Sequence, residues 1–382
     1  MLEEVFTETP FEELPESLVD ELLSECEPMG DTLYDELLLL KNEEKKLRDE
    51  LKENVKISID RDDETFIIPT TCAVDGSYVI DRLLSFDIVA LAAVAIEGLT
   101  PPTEEREWPK PRHMSFIKQI PHFEGTSVVA RGLMMQYEMI LLSSAPHKIK
   151  FLDNSMTTPL IYLNQAVKKL GDIPNNEIKE KFVETLKESL EAYLTILSSP
   201  QNDRHFVGVP KYSTRREIGN RINTTLKWDD KALLSKLLRN GEYTNPIKLS
   251  KQKGDDWHLK MPKNLENLQS LIDKITKAIE NIHVIYYKPK PWFPALRLEV
   301  SNSIANNSSR IGEVLKGVEY QCATSAIMEP YPLYMSDRMV KHLKRALPAI
   351  RQAITQHTAL RWEENAGEIY LTMHGYRTES GR

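Results

Sequence analysis

Cysteine is scarce in this chain. Its three cysteines, Cys26, Cys72 and Cys322, lie far apart with no C-x-x-C pair. That excludes a disulfide framework and a zinc ribbon, and Cys72, within an apolar run, reads as a small buried hydrophobe. Long apolar runs are missing as well. The longest, Ile88 to Ile96, has nine residues, well short of the ~20 needed to span a bilayer. The acidic start "MLEEVFTETPFEELPE" has no basic region of the kind that opens a secretory signal. No G-x-x-x-x-G-K-S/T loop occurs, so no P-loop ATPase site is expected; G-x-S-x-G and H-E-x-x-H are also absent. The nine histidines do not cluster, and His113 and His122 fall in a proline-rich stretch where they read as surface residues. These absences lead to the expectation of a soluble, cytoplasmic protein with no membrane partner.

What is present is an ordinary globular composition, 41% hydrophobic and 28% charged. At 382 residues it suits one large domain with appendages, or two domains. The net charge of -8 would count against a polyanionic partner, but it is unevenly spread. Residues 1–64 hold 22 acidic and 7 basic residues, whereas the remainder holds 35 acidic and 42 basic. The acidity therefore belongs to one N-terminal arm, and the body is basic enough to meet a polyanion.

Within that arm, residues 11–54 read as helix. Leu33, Leu37, Leu40, Leu47 and Leu51 recur at three- and four-residue steps, with charges between them. Such a helix either packs on its own domain or contacts a second copy or another partner. From Lys56 the pattern alternates as strands do, through "VKISIDRDDETFIIPTTCAVDGSYVI". Residues 100–125 hold five prolines and read as an irregular insertion. Helices are expected near 127–143, 160–171 and 176–198, over "KALLSKLLRNG" and "NLENLQSLIDKITKAIENI", and as a pair from about Leu333. Strands are expected at "KIKFLD", "HFVGVPKYS", "HVIYYKP" and "ALRLEV". Strands with interspersed helices indicate an α/β or α+β domain.

The chemistry that remains lies in carboxylates at element ends. Asp75 ends the first strand of a hairpin, with Gly76 permitting a tight turn or a close approach. Glu138 lies in the apolar helix "SVVARGLMMQYEMILLSS", seven residues from Arg131 on the same face, and needs a cation or donor to meet it. Asp153 ends the strand "IKFLD". Converging carboxylates suit hard divalent cations, although each of these acids by itself is more often a cap or an ion-pair partner. Asp81 and Asp87 lie in the same hairpin with nothing to recruit them.

"AVDGS", then an apolar second strand, then "R……E" on a helix and "FLDNS" together resemble the NurA nuclease family, whose domain is similar to ribonuclease H and PIWI domains. "FVGVPKYSTRREIG", "LLSKLLRNGEYTNPI", "VIYYKPKPWFPALRLEV" and "EPYPLYMSDRMVKHL" are similar to later blocks of that family, in the same order across residues 66–350. The resemblance implies an α/β fold with a ribonuclease H-like mixed sheet flanked by helices, over residues 65–382. Residues 1–64 form an acidic helical arm beside it. The resemblance also implies that Asp75, Glu138 and Asp153 are metal ligands, with Asp337 at the fourth position. The ligands would hold two Mn²⁺ or Mg²⁺ ions.

Lys211 matches the family's strand-end lysine, which either contacts a phosphate or is a solvated surface residue. Tyr331, Arg215, Arg216 and Arg338 are candidates for binding DNA, within a wider basic set of Lys110, Arg112, Lys288, Lys290 and Lys341. The implied activity is metal-dependent phosphodiester hydrolysis in DNA, 5′→3′ from an end and as an endonuclease on single strands. The implied partners are a HerA-type hexameric ATP-driven translocase and a second copy of the chain, in end resection or phage defence. A catalytically weak scaffold that gates such a translocase, and an RNA-directed nuclease, are the competing readings.

Overall fold

The apolar run after Thr71 folds as two long paired strands, because small and β-branched residues fill it and both of its faces become covered. The computed structural model describes residues 14–59, 67–174, 176–201, 203–222, 224–251 and 257–374. The N-terminal segment gives α1 (Glu16–Ser24), α2 (Cys26–Asn54) and β1 (Ile57–Ile59). Then come β2 (Thr71–Arg82), β3 (Asp87–Glu97), β4 (Arg112–Ile120), α3 (Thr126–Ser144) and β5 (Ile149–Leu152). They are followed by α4 (Thr158–Lys169), α5 (Glu177–Ser198), β6 (His205–Gly208) and α6 (Asp230–Leu237). The next elements are β7 (Glu242–Thr244), β8 (Ile247–Lys248), α7 (Gln269–Ile279), β9 (His283–Tyr287) and β10 (Leu296–Val300). The chain ends in α8 (Asn302–Ala305), α9 (Ser308–Gln321), α10 (Tyr331–Ala359) and α11 (Ala366–Thr372).

One mixed sheet joins the strands in the order β1-β7-β9-β10-β6-β5-β2-β3-β4, with β8 added on β9. β5 runs parallel to both β2 and β6, and the other pairings are antiparallel. An antiparallel β2-β3-β4 meander continuing into parallel β5 and β6 is the ribonuclease H-like mixed sheet expected of the sequence. Alternate β2 residues enter different cores. Cys72 and Val74 join the layer built by α3, α5 and α7, whereas Ala73 joins α9 and the start of α10 on the other face. Helix α3 is apolar nearly all round because it lies between the sheet and helices α4 and α5. No helix among the described residues is long and apolar enough to cross a membrane.

Two sequence expectations change, and one helix was not foreseen. The Asp-Gly-Ser stretch is not a hairpin tip: β2 runs unbroken through it to Arg82, and the chain turns at Leu83–Phe86. The stretch 100–125 is not irregular throughout. Arg112–Ile120 is an edge strand on β3, with its prolines outside the strand, where no ladder hydrogen bond is lost. The two C-terminal helices expected from about Leu333 are present, one of 29 residues and one of seven. Helix α9 was not anticipated, although Asn307 caps it by accepting from the Arg310 amide. Residues 11–13 of the expected helix and 60–66 of the expected strands lie outside the described residues.

The arm is only half free. Leu40, Leu47, Arg48 and Leu51 are the buried residues of α2, all in its second half. Arg48 donates to both carboxylate oxygens of Glu242, at 3.0 and 2.9 Å, and the Trp228 indole donates to Glu36 at 2.7 Å. Strand β1 pairs with β7, so this part of residues 1–64 is built into the sheet. In the first half, Met29, Leu33, Tyr34 and Leu37 are exposed. Leu51→Ala is therefore expected to cost about 2–5 kcal/mol, and Leu33→Ala to stay within about 0.5 kcal/mol. Urea denaturation checks this, and similar losses at both positions would contradict the docking.

Candidate metal centre

Strands β2 and β5 pair in parallel register from Thr71 opposite Ile149 to Val74 opposite Leu152. β5 then stops, while β2 continues. The next residue on each chain is an aspartate, so Asp75 and Asp153 come side by side where the sheet opens. Asp75 shares the face of Ala73, and α10 crosses that face with Asp337 in its second turn. Asp75, Asp153 and Asp337 each bring a carboxylate oxygen within 4.8 Å of the others. Around them is a cavity of about 520 Å³, also lined by Gly76, Ser77, Thr158 and Lys211.

Glu138 reaches the site from the opposite face, on α3. It passes through the space a side chain at residue 76 would fill: a Cβ built on Gly76 would lie 2.4 Å from Glu138 Oε1 and 2.6 Å from Met134 Cγ. Gly76 is thus required by a close approach and not by a turn. Glu138 is 1% exposed, and neither of its carboxylate oxygens has a hydrogen-bond partner among the described residues. Asp153 Oδ1 is likewise unpartnered. Arg131 does not serve Glu138; its guanidinium stacks 4.3 Å from the Tyr162 ring and donates to Gln165.

Lys211, three residues beyond the end of β6, places its ammonium 2.8 Å from Asp153 Oδ2, 3.3 Å from Glu329 and 3.7 Å from Asp337. Lys341 meets Asp337 at 2.7 Å. Burial, the Asp153 charge and the Asp337 charge push Asp75 up to about 7, against its Gly76 hydrogen bond and the pull of Lys211. Burial raises Asp153 to about 6 although Lys211 opposes it. Glu138 is raised well above the usual range by burial and then by Asp75 and Asp153. For Lys211, burial pulls downward, but Asp153, Glu329 and Asp337 together hold it above its ordinary value. Buried carboxylates with unspent oxygens, crowded enough to hold protons near neutral pH, form a hard oxygen donor set that suits a divalent cation.

The remaining basic candidates scatter. Arg215 and Arg216 lie beyond Lys211, donating to the backbone carbonyls of Ser250 and Leu226 respectively. Tyr331 is half-buried at the start of α10, and Arg338 is exposed one residue beyond Asp337. Lys110 and Arg112 are exposed. Lys288 turns inward to the Ser235 carbonyl at 2.6 Å, and Lys290 pairs with Glu319 at 2.7 Å. Of the histidines, His122 holds the buried Asp87 at 2.8 Å. Cys72 is fully buried, with its thiol pushed up to about 12 by burial. Sequence reasoning missed Glu329, whose only signal was an acid immediately before "PYPLY".

The family match covers residues 69–341, most of the chain and all of the acidic site, and its description is NurA domain. The chain belongs to the NurA domain family. Among solved structures it is similar to the NurA nuclease from Sulfolobus solfataricus, at 12% identity and a TM-score of 0.52, covering 87% of this chain and 99% of that one. A second NurA crystal structure gives 15% and 0.51, covering 91% and 99%. A NurA structure with manganese gives 14% and 0.51, covering 90% and 99%. No curated protein matches the chain. These likenesses span nearly the whole of each NurA chain, so the fold is shared from end to end. The family match ends at Lys341, leaving most of α10 beyond it.

Two expectations follow from this acidic centre. Between roughly pH 4 and 7 the folded protein keeps protons on Asp75 and Asp153 that the unfolded chain, with ordinary aspartate values near 3.9, has already released. Stability of the metal-free protein is therefore highest on the acid side of that window and falls as pH rises through 6 and 7. In thermal melts with chelator, Asp75→Asn should flatten this fall, and Mn²⁺ should raise the melting temperature more at pH 8 than at pH 6. The opposite order would contradict the assignment. Separately, Gly76→Ala should displace Glu138 and weaken Mn²⁺ binding about 10–100-fold, read by calorimetry.

Proposed function

We propose that the protein is a divalent-metal-dependent DNA nuclease. The observation that carries this reading is the convergence of Asp75, Asp153 and Asp337 within 4.8 Å, with the unpartnered Glu138 carboxylate entering behind Gly76. The NurA domain match over residues 69–341 supports it, as does the likeness to a NurA structure that contains manganese. Asp75, Glu138, Asp153 and Asp337 would hold two Mn²⁺ or Mg²⁺ ions. Ions held there would supply a water of lowered pKa and neutralising charge for the oxygen that leaves the phosphodiester.

The chain's own groups do the rest. Strand and helix positions keep Asp75, Asp153 and Asp337 open to the cavity, and the buried Glu138 lies behind them beneath Gly76. Lys211 stands at the mouth of the same cavity, where its ammonium can pass from Asp153 to an incoming phosphate oxygen. Arg215, Arg216, Arg338 and Tyr331 are the residues that would guide the strand in this reading.

The same reading takes the activity as 5′→3′ on DNA ends, with endonuclease action on single strands. A HerA-type translocase supplies the movement that a chain without a P-loop lacks. The exposed leucines of the first half of α2 are the surface assigned to a second copy or to that translocase. Labelled single- and double-stranded DNA with Mn²⁺ tests the central claim. Wild type should degrade it, Asp75→Ala and Asp153→Ala should each lose about 10³-fold or more, and RNA should be spared. Equal degradation by wild type and variants would overturn the site, and absence of cleavage with intact Mn²⁺ binding would favour a scaffold.

A further inference from the structure

A second cavity, of about 270 Å³, opens beside the metal centre and shares Ser155, Pro210 and Tyr212 with it. Its wall includes Arg297, whose side chain is 1% exposed. The guanidinium donates from Nε to Glu299 at 3.0 Å and from Nη1 to Glu217 and the Tyr286 hydroxyl, each at 2.7 Å. Nη2 has no partner among the described residues. A buried guanidinium nitrogen with hydrogens unspent is costly unless an acceptor reaches it.

The carboxylate in this wall is already satisfied. Glu299 takes Arg297 on one oxygen, and the Ser155 hydroxyl at 2.7 Å and the Met156 amide at 2.8 Å on the other. Arg297 is shared between Glu299 and Glu217, and Arg215 with the hydroxyls of Ser213, Thr214 and Thr157 also lines the cavity. Arg215 lies half-buried at that wall, with Nη1 on the Ser250 carbonyl at 3.1 Å.

Between the two cavities stands Tyr212, a tyrosine 93% exposed and next in sequence to Lys211. An unpacked aromatic ring flanked by an acidic metal cavity and a guanidinium- and hydroxyl-lined one is the arrangement of a stacking platform between two phosphate positions. We propose that the second cavity seats the phosphate neighbouring the scissile one, and that the base of the nucleoside between them stacks on Tyr212. This rests on the nuclease reading for the first cavity and extends it: the substrate is gripped over at least two consecutive phosphates of a single strand, whatever its sequence. A sequence-tolerant grip follows because every base offers a π face and the phosphates are identical.

The test reads binding first, so that its failure is separate from failure of the nuclease reading. A fluorescein-labelled oligothymidylate is titrated by anisotropy with Ca²⁺ in place of Mn²⁺. Tyr212→Ala should weaken binding by about 5- to 150-fold, as loss of one stacked base does. Tyr212→Phe should stay within about twofold of wild type because the ring remains. Arg215→Gln should weaken binding and lower the salt slope by about one. With Mn²⁺, Tyr212→Ala should raise KM for the oligonucleotide at least about tenfold more than KM for bis(4-nitrophenyl) phosphate, which has no neighbouring nucleotide. Equal oligonucleotide binding by wild type and Tyr212→Ala overturns the subsite, as does an equal loss on both substrates. Wild type that binds the oligonucleotide through Tyr212 yet hydrolyses neither substrate overturns the nuclease reading and leaves the subsite standing.

Discussion

Mutual repulsion among carboxylates in a poorly hydrated opening is the constraint to which the rest of this structure answers. At an effective dielectric near 20, two unit charges ~4 Å apart cost about 4 kcal/mol, and three aspartates crowd within 4.8 Å here. The protein meets that cost with protons and with one ammonium. Asp75 and Asp153 hold protons toward neutral pH, and Lys211 stands against Asp153, Glu329 and Asp337. A site so arranged is stabilised by any cation that replaces those protons, which couples its stability to cation binding.

Keeping the carboxylates together requires rigid elements on both faces of the sheet. Asp75 is fixed within a continuous strand, Asp337 by a long helix across one face, and Glu138 by a buried helix across the other. The loop after β5 is the least regular part, and it is tied down from below. Glu299 accepts from Ser155 and Met156, Tyr193 donates to the Met156 carbonyl at 2.5 Å, and Arg297 holds Glu299 in turn. The same buried network forms the wall of the neighbouring cavity, so the position of Asp153 and the shape of that cavity depend on one set of contacts.

Much of this was legible in the residues. The apolar runs around Thr71–Glu97 announced paired strands, and the helices at 126–144 and 177–198 lie within a residue or two of their periodic signals. The acids Asp75, Glu138 and Asp153 stood out because each follows or interrupts an apolar element, where an unpaired charge is costly. Other features left no local trace. The edge strand Arg112–Ile120 was hidden by its flanking prolines, since its pairing depends on β3 alone. Arg131 shares a helical face with Glu138, yet Tyr162 and Gln165 from α4 claim it. The acid at residue 329 and the tyrosine at 212 carry no pattern in their own neighbourhoods.

The sequence by itself determined most of the elements: alternating apolar runs make strands, an all-round apolar stretch makes a buried helix, and acids stand at or within them where only their neighbours decide their role. It also set the charge division, with an acidic first segment and a basic remainder. Tertiary structure alone decided which acids meet. Parallel register between β2 and β5 puts Asp75 beside Asp153, and the crossing of α10 adds Asp337 from far along the chain. The missing side chain at residue 76 admits Glu138 from the opposite face. The physical reason is that register and helix crossing are set by packing over the whole sheet, so they have no signature in any single stretch of residues. Asp-Gly-Ser reads locally as a turn, and only the neighbouring helix reveals that its glycine is a passage for a carboxylate.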